Sequence, residues 1–355
     1  MVSIQIPNFG LNRHDTSAVS AYAEDVRRSE SSGWDAAFLP DSQLRRRDTY
    51  VLLAAAANFT SKIKIGPLLA NPVTRHPTVT ASSISTIGEL ASGRTILGLG
   101  IGDTAVRLAG LRPATVRELE SSVRIIRSLL SGSSVDVGSS KPAILPFAHE
   151  VPVWVAAGGP KTLEMAGSVA DGVFIRVGTD IQNVKISVEK IREGAEKAGR
   201  DPLSVQLGAV FHTVFVDDSD RALLMGKSMA AGYFEYSPML MDNLGLGWAG
   251  PSPTHIKEKF DIWPDFHHAQ DLLASGRAVD FLSDEQAFAF SLLGNSGMIT
   301  AQIVDLIRAA NALSINFDYV VLHPIPNPPS PDLGPESYME RVPTEIIANV
   351  KKILS

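Results

Sequence analysis

The stretch from Ile63 to Asp103 contains a complete strand–helix–strand pattern, and it constrains the fold more than any other part of the sequence. Ile63–Leu69 is apolar and runs into Asn71-Pro72, as a buried strand does where it enters a loop. Thr95–Leu99 is a second apolar strand, and the residues between the strands repeat their apolar side chains every three or four positions, which indicates a helix. A connection of this length normally joins parallel strands in the right-handed sense.

The carboxyl ends of these two strands therefore open on the same side of the sheet. Asn71 follows the first strand, whereas Gly100, Gly102 and Asp103 follow the second. In parallel α/β folds this side carries the ligand. We predict Asp103 as the catalytic acid, because a carboxyl group on a glycine-containing loop can move a proton or hold a polar substrate. An aspartate that only caps the loop would do neither.

Strand and helix patterns alternate along the rest of the chain, and Ser17 is predicted to cap the first helix. Such an alternation of eight units indicates an α/β fold, the (β/α)8 or TIM barrel, which needs about 250 residues. The excess length fits an irregular insertion at Gly232–Glu285, before the last βα unit, so we predict one domain over residues 1–355. The eight predicted strands are Ser3–Pro7, Ala36–Leu39, Ile63–Leu69, Thr95–Leu99, Val153–Ala157, Gly172–Val177, Val205–Val216 and Tyr319–Leu322.

Composition excludes several classes of function. The net charge of −6 is spread over interspersed acidic and basic residues, which argues against binding to nucleic acid or to an anionic membrane. The sequence has no run of eighteen apolar residues and no secretory pattern, so a cytoplasmic protein is predicted. It also has no cysteine, which excludes disulfides, thiolate metal sites and cysteine nucleophiles. Any redox chemistry would therefore come from a bound cofactor.

A second loop has the features of an anion site. Ala156, Ala157, Gly158 and Gly159 end a predicted strand, and Pro160-Lys161 begins a helix. Free amides at a helix start, the positive end of the helix dipole and a lysine together favour a phosphate. The alternative is a tight turn without a ligand.

Other candidate groups leave alternatives open. Gly98–Gly102 lacks the full spacing of a dinucleotide-binding fingerprint, and a glycine-rich strand end against a planar ligand explains it better. Arg176 and Arg75 could meet an anionic cofactor tail or form surface ion pairs. None of the eight histidines has the spacing of metal ligands, so no metal site is predicted. His212 could line the barrel interior or be structural.

Two long segments resemble the luciferase-like flavin-dependent oxidoreductases, a superfamily of TIM barrels. They are TRHPTVTASSISTIGELASGRTILGLGIGD and VPVWVAAGGPKTLEMAGSVADGVFI. Within the superfamily, the RHP and GxGD forms are most similar to the methylenetetrahydromethanopterin reductase branch, which uses the deazaflavin coenzyme F420. This resemblance implies hydride transfer between C5 of F420 and a carbon of a small organic substrate, in a homodimer. The alternatives are an FMN-dependent monooxygenase and a non-catalytic flavin-binding homologue.

The resemblance also assigns residues to the cofactor. Leu68 and Leu69 match the strand exit where the family often has a non-prolyl cis peptide against the cofactor ring, and Asp103 matches an acidic position near the reacting carbon. Several relatives have Asp-His after the second strand, where this chain has Asp41-Ser42, so that histidine's role does not transfer. The implied cofactor-binding residues are Pro67, Leu68, Leu69, Asn71, Gly100, Gly102, Ala156, Ala157, Gly158, Gly159 and Arg176.

Overall fold

The computed structural model describes residues 4–13, 17–326 and 335–355. Strands and helices alternate through these residues, as the sequence predicts. The strands are β1 Asn8–Asn12, β2 Ala36–Leu39, β3 Lys64–Pro67, β4 Leu97–Leu99, β5 Val153–Ala157, β6 Gly172–Ile175, β7 Gln206–Phe215, β8 Leu292–Gly294 and β9 Tyr319–Pro324.

The helices begin at residues that suit helix starts. Asp48 accepts hydrogen bonds from the amides of Tyr50 and Val51 before the second helix, and Thr115 forms a capping box with Glu118 before the fifth. The helices are α1 Val19–Ser32, α2 Thr49–Phe59, α3 Pro77–Leu90, α4 Thr104–Leu108, α5 Val116–Leu130, α6 Pro160–Val169, α7 Ile181–Lys197, α8 Ser219–Tyr236, α9 Met239–Asp242, α10 Pro253–Phe260, α11 Leu272–Ala278, α12 Asp284–Phe290, α13 Ser296–Ala312, α14 Pro335–Arg341 and α15 Ala348–Leu354.

The sheet confirms the predicted barrel. Its strands follow the hydrogen-bonded order β3-β2-β1-β9-β7-β6-β5-β4, and β8 pairs with β7 outside this path. The two ends of the path approach each other, because parallel bridges join Ile65 to Thr95 and Ala70 to Leu99. Eight parallel strands alternating with helices thus form a nearly closed (β/α)8 barrel.

The chain divides into two compact units. The amino-terminal unit comprises Asn8–Phe174 and Lys190–Gly208. Large rings fill its core: the Phe174 ring centroid lies 4.6 Å from that of Trp154 and 5.3 Å from that of Phe38. Asp103 and every implied cofactor-binding residue except Arg176 belong to this unit.

The carboxyl-terminal unit comprises Met1–Pro7, Ile175–Glu189 and Ala209–Ser355. Part of its core is a cluster of apolar side chains that includes Val214, Met225, Met229 and Leu293. The predicted insertion begins late, because α8 continues through Gly232 to Tyr236 before the short helices α9 to α12. In the part of the chain that the structure describes, no helix is long and apolar enough to cross a membrane.

Two predictions near the amino terminus are wrong. The first strand lies at Asn8–Asn12, whereas residues 4–7 of the predicted Ser3–Pro7 are irregular and Ser3 lies outside the described residues. Backbone pairing of Gly10 with Ala36 of β2, rather than apolar content, decides where this strand forms. Ser17 does not cap α1, because Ala18 occupies the cap position and no side chain caps the helix.

Candidate active site

The end of β3 is fixed by backbone hydrogen bonds on both sides. The Asp41 amide, after β2, donates to the Leu69 carbonyl at 3.2 Å, and the Ala70 amide donates to the Gly98 carbonyl of β4 at 2.9 Å. The peptide bond between Leu68 and Leu69 is cis, at the position that the resemblance indicates. Leu68 is buried and Leu69 is half-buried, so Leu69 keeps an accessible surface at the carboxyl end of the strand.

The glycines of β4 and its loop are required by close approach to this segment. A Cβ atom on Gly98 would lie 2.6 Å from the Pro67 carbonyl oxygen, and one on Gly100 would lie 3.0 Å from a methyl group of Leu69. Gly102 has φ +76°, and its Cβ would lie 2.9 Å from that of Asn71. Packing between neighbouring strands therefore explains this glycine pattern. No dinucleotide-type phosphate loop forms there, because only the five-residue α4 follows β4 directly.

Asn71 has a buried side-chain amide that is only partly hydrogen-bonded. Its Oδ1 accepts hydrogen bonds from the amides of Val73 and Thr74 and from the Thr74 hydroxyl, at 2.9 to 3.2 Å. Its Nδ2 is buried and has no hydrogen-bond partner among the described residues. A buried donor without a partner carries a desolvation cost, so a ligand oxygen at this point would be stabilising.

Asp103 lies at the start of α4, and its side chain is 38% exposed. It is the N-cap residue of α4, but its side chain makes no helix-capping hydrogen bond. Its Oδ1 accepts a hydrogen bond from Arg107 Nε at 2.5 Å, one turn along the helix. The carboxylate is thus oriented by its neighbour and open to solvent.

The loop after β5 presents an open helix start. β5 ends at Ala157, Gly159 is the N-cap of α6, and Pro160 begins the helix. No side chain caps α6, and a Cβ atom on Gly159 would meet nothing within 4 Å. The first-turn amides and the positive helix end therefore face free space that an anion can occupy. The side chain of Lys161 is exposed beside them.

The sequence did not predict the burial of Asp41, an acid that follows β2. Asp41 is only 6% exposed, and its Oδ2 lies 3.9 Å from Arg75 Nε. Burial raises the pKa of Asp41 to about 6, although the positive charge of Arg75 opposes this shift. Arg75 also donates to Asp48 Oδ2 at 2.8 Å and lies over the Tyr50 ring at 4.5 Å, so it is an ion-pairing residue. The feature of the sequence that could have identified Asp41 is its position just after the apolar strand Ala36–Leu39.

Arg176 belongs to the carboxyl-terminal unit, where it contacts a histidine. Arg176 directly follows β6, and its Nη2 lies 2.8 Å from Nε2 of His212 on β7. His212 is 2% exposed, and its ring centroid lies 5.4 Å from those of Tyr233 and His323 and 5.7 Å from that of His267. Sequence reasoning singled out Arg176 and His212 separately but not their contact, because 36 residues separate them.

A neighbouring group in this unit has the donor set of a metal site. Potential ligand atoms of Asp265, His267 and His268 lie within 4.8 Å of one another. Hydrogen bonds already engage the Asp265 carboxylate, which accepts from Tyr236 Oη at 2.9 Å and lies 2.9 Å from His268 Nδ1. Burial raises the pKa of Asp265, but the two histidines and Tyr236 lower it further, and the net result is below the usual range. The expected absence of a metal stays a prediction.

Most of the chain matches one protein family. The family described as luciferase-like monooxygenase matches residues 1–311. A 5,10-methylenetetrahydromethanopterin reductase of Methanolobus tindarius is 35% identical over 312 residues, which are 84% of this chain and 90% of that protein.

Solved structures share the fold. The coenzyme F420-dependent tetrahydromethanopterin reductase of Methanopyrus kandleri has a TM-score of 0.76 at 24% identity, over 98% of this chain and all of that one. An F420-dependent secondary alcohol dehydrogenase, in complex with an F420–acetone adduct, has a TM-score of 0.67 at 16% identity, over 98% of this chain and 99% of that one. At these identities the two likenesses establish the barrel.

Proposed function

The chain belongs to the luciferase-like monooxygenase family, and on that premise we propose that it is an oxidoreductase that transfers a hydride between coenzyme F420 and a small organic substrate. The observation that carries the choice of F420 is the 35% identity with a methylenetetrahydromethanopterin reductase across 90% of that protein. A solved reductase of the same fold is F420-dependent.

The residues of the amino-terminal unit fit a phosphate-bearing deazaflavin. The uncapped start of α6 and the open space at Gly159 suit a phosphate group, and the partnerless Nδ2 of Asn71 suits an oxygen acceptor. When bound, F420 supplies a carbon, C5, that gives or accepts a hydride. We propose that the binding residues are Pro67, Leu68, Leu69, Asn71, Gly100, Gly102, Ala156, Ala157, Gly158 and Gly159.

Asp103 is the proposed proton-handling residue. Its carboxylate is partly open to solvent and is oriented by Arg107, so it can accept a hydrogen bond from a substrate group or exchange a proton with it. Arg176 is proposed as an anion-binding residue, since its guanidinium lies against His212 and forms no ion pair with a carboxylate among the described residues.

The second candidate function is an FMN-dependent monooxygenase, because the family description names a monooxygenase and a solved monooxygenase of similar fold is in complex with FMN. The two functions differ in whether oxygen is consumed. We would incubate the protein with reduced F420 without oxygen, add ketones, imines and conjugated alkenes in turn, and follow the return of the oxidised cofactor's visible absorbance.

We expect substrate-dependent oxidation of F420 without oxygen uptake in a parallel aerated sample. Oxygen uptake that requires reduced FMN and is absent with reduced F420 would instead establish the monooxygenase. If none of the tested compounds is a substrate, the affinity of the protein for F420, measured separately, decides between the two functions.

We also propose that the protein is a cytoplasmic homodimer. Apolar side chains on α2 and α3 support the dimer, because Val51, Phe59, Val79 and Leu90 are each 44% to 55% exposed. An apolar surface on two adjacent helices is typical of a contact between subunits. Light scattering after size-exclusion chromatography measures the oligomeric state, and cell fractionation tests the location.

A further inference from the structure

His212 holds a hydrogen-bond donor without an acceptor. Arginine can only donate, so the 2.8 Å contact with Arg176 Nη2 makes His212 Nε2 the acceptor. A neutral imidazole that accepts at Nε2 carries its proton on Nδ1. This Nδ1 is buried and has no hydrogen-bond partner among residues 4–13, 17–326 and 335–355.

The surroundings keep this imidazole neutral. Burial, followed by the charge of Arg176 and the neighbouring histidines His323, His267 and His268, lowers the pKa of His212 well below its ordinary value. The Nδ1–H group is therefore a fixed donor at neutral pH. It cannot find an acceptor by changing tautomer without giving up the contact with Arg176.

Two further polar atoms beside His212 are also without a hydrogen bond. The Tyr233 hydroxyl is buried and makes no hydrogen bond of normal geometry among the described residues, although Arg176 and the Gly178 amide lie close to it. His267 Nδ1 is also buried without a hydrogen bond of normal geometry, and its nearest acceptor is Asp265 Oδ1 at 3.5 Å. Both rings lie within 6 Å of the His212 ring, at 5.4 and 5.7 Å between centroids. Gly232 leaves room for the His267 ring, because a Cβ atom at position 232 would lie 2.0 Å from His267 Nδ1. Buried polar atoms in native proteins are usually satisfied, so this group of donors suits a ligand that supplies oxygen acceptors.

The positive charge of Arg176 beside His212 also favours an anion. Arg176 forms no ion pair with a carboxylate in the part of the chain that the structure describes. The nearby acid, Asp265, is engaged by His268 and Tyr236. Arg176 is itself exposed, which leaves a route from solvent to the group. A guanidinium beside buried donors suits an anion, because each of these groups can donate to its oxygens.

We propose that Arg176, His212 and Tyr233 form an oxyanion subsite that binds a carboxylate or phosphate group of an organic ligand. Arg176 balances its charge, and the His212 Nδ1–H and Tyr233 hydroxyl groups donate to its oxygens. Two ligands could bring this group: the organic substrate or the acidic tail of the cofactor. Only the choice between these sources rests on the proposed function.

The test observes the histidine directly. In the full-length protein labelled with ¹⁵N-histidine, long-range ¹H–¹⁵N spectra report which ring nitrogen carries the proton, and His212→Asn identifies the His212 signals. We expect His212 protonated on Nδ1 without ligand. Acetate and inorganic phosphate, titrated separately, should shift the Nδ1 signal in a saturable way.

Four variants separate binding from packing. Tyr233→Phe removes one hydroxyl, and His212→Gln moves the donor to the Nε2 position, so each should weaken anion binding about tenfold. His212→Asn keeps a donor near the Nδ1 position and should retain binding within about threefold. Tyr236→Phe is the matched control, because its hydroxyl already bonds to Asp265, and it should leave anion affinity unchanged. Thermal unfolding of each variant checks the fold.

Repeating the titrations with F420 identifies the source. If F420 displaces acetate and phosphate, the subsite holds the cofactor's acidic tail; if they bind together, it holds a substrate anion. The proposal is overturned if neither anion shifts His212, with or without F420, or if Tyr233→Phe and Tyr236→Phe behave alike. F420 fluorescence in the same samples reports cofactor binding, so failure of the proposed function is recorded separately.

Discussion

Asp41 should impose a pH dependence on stability. Burial raises its pKa from 3.8 to about 6 in the folded protein, so the folded state binds more protons than the unfolded state between these values. Asp41 therefore contributes about 3 kcal/mol to the free energy of unfolding at low pH. This contribution is lost as the pH rises from about 4 to about 6. Asp41→Asn should remove this loss. Urea unfolding of apoprotein at pH 4.5 and 7.0 measures it.

Asp48 is the matched control because its shift has the opposite sign. Burial acts to raise the pKa of Asp48, but hydrogen bonds from Arg75 and from the amides of Val51 and Tyr50 outweigh it and lower the pKa overall. The folded protein therefore stabilises the ionised form of Asp48. Asp48→Asn should lose stability at neutral pH and keep it at low pH, while the new amide still caps α2. If both variants change the pH profile in the same direction, the account of Asp41 is wrong.

Gly102 and Gly93 have the same backbone conformation but different surroundings. Both have φ +76°, yet a Cβ atom on Gly93 meets nothing within 4 Å, whereas one on Gly102 would lie 2.5 Å from Val106. We expect Gly93→Ala to cost about 1 kcal/mol from the backbone alone. Gly102→Ala should cost about 2 kcal/mol more, because the side chain of Val106 or Asn71 must move. Equal free energies of unfolding would contradict the packing argument.

Asp103 should affect turnover rather than binding. If it handles a proton, Asp103→Asn should lower the turnover number by about 10² to 10⁴ and leave F420 affinity within about threefold. Arg107→Gln is the control, since it keeps the carboxylate and removes only its orienting partner. Steady-state kinetics and F420 titration provide the two readouts. Full activity of Asp103→Asn would exclude the acid assignment.

At the residue scale, the sequence predicts positions better than partners. Asp103 and Gly159 could be found because each follows a strand pattern in a recognisable loop. The burial of Asp41 and the contact of Arg176 with His212 could not, because each depends on residues from another part of the sequence brought close by the fold.

At the element scale, the start of α6 separates phosphate binding from simple turn formation. Gly159→Asp places a carboxylate at the N-cap, where it accepts from the first-turn amides and occupies the space proposed for phosphate. We expect the free energy of unfolding to rise by a few tenths of a kcal/mol. F420 affinity should fall at least about tenfold, as fluorescence titration would show.

Gly159→Asn is the control for this substitution. It caps the helix without a charge, so its affinity should lie between those of the parent and of Gly159→Asp. If all three proteins bind F420 equally, the loop is a turn without a phosphate.

Elements with strong local signals were predicted closely. Ala36–Leu39 and Val153–Ala157 have the predicted bounds, because a continuous apolar run marks each of them. The strand β1 was misplaced, and α4 and β8 were missed. These three are five residues or fewer, and pairing or packing rather than sequence pattern determines them.

At the scale of the whole molecule, the proposed dimer makes a specific prediction. Val51→Lys on the apolar surface of α2 should shift the protein to a monomer, because a charge would be buried at the contact. Leu203→Lys is the control: Leu203 is 77% exposed but lies outside α2 and α3, so the dimer should persist. Light scattering would measure both masses. A dimer that survives Val51→Lys would place the contact elsewhere.

The barrel itself followed from the alternation of patterns, because parallel strands with helical crossovers permit few topologies. The helices inside the insertion could not be predicted in this way, since α9 to α12 are short and carry weak periodicity. The substrate group is least predictable, because the carboxyl-terminal unit assembles Arg176, His212 and Tyr233 from separate segments.

The most direct test of the central claim is equilibrium titration of the purified apoprotein with F420 and, separately, with FMN, following fluorescence quenching. We predict saturable binding of F420 at least about a hundredfold tighter than that of FMN. Preference for FMN would contradict the F420 assignment and favour oxygen chemistry. Binding of neither would contradict cofactor-dependent catalysis at this site.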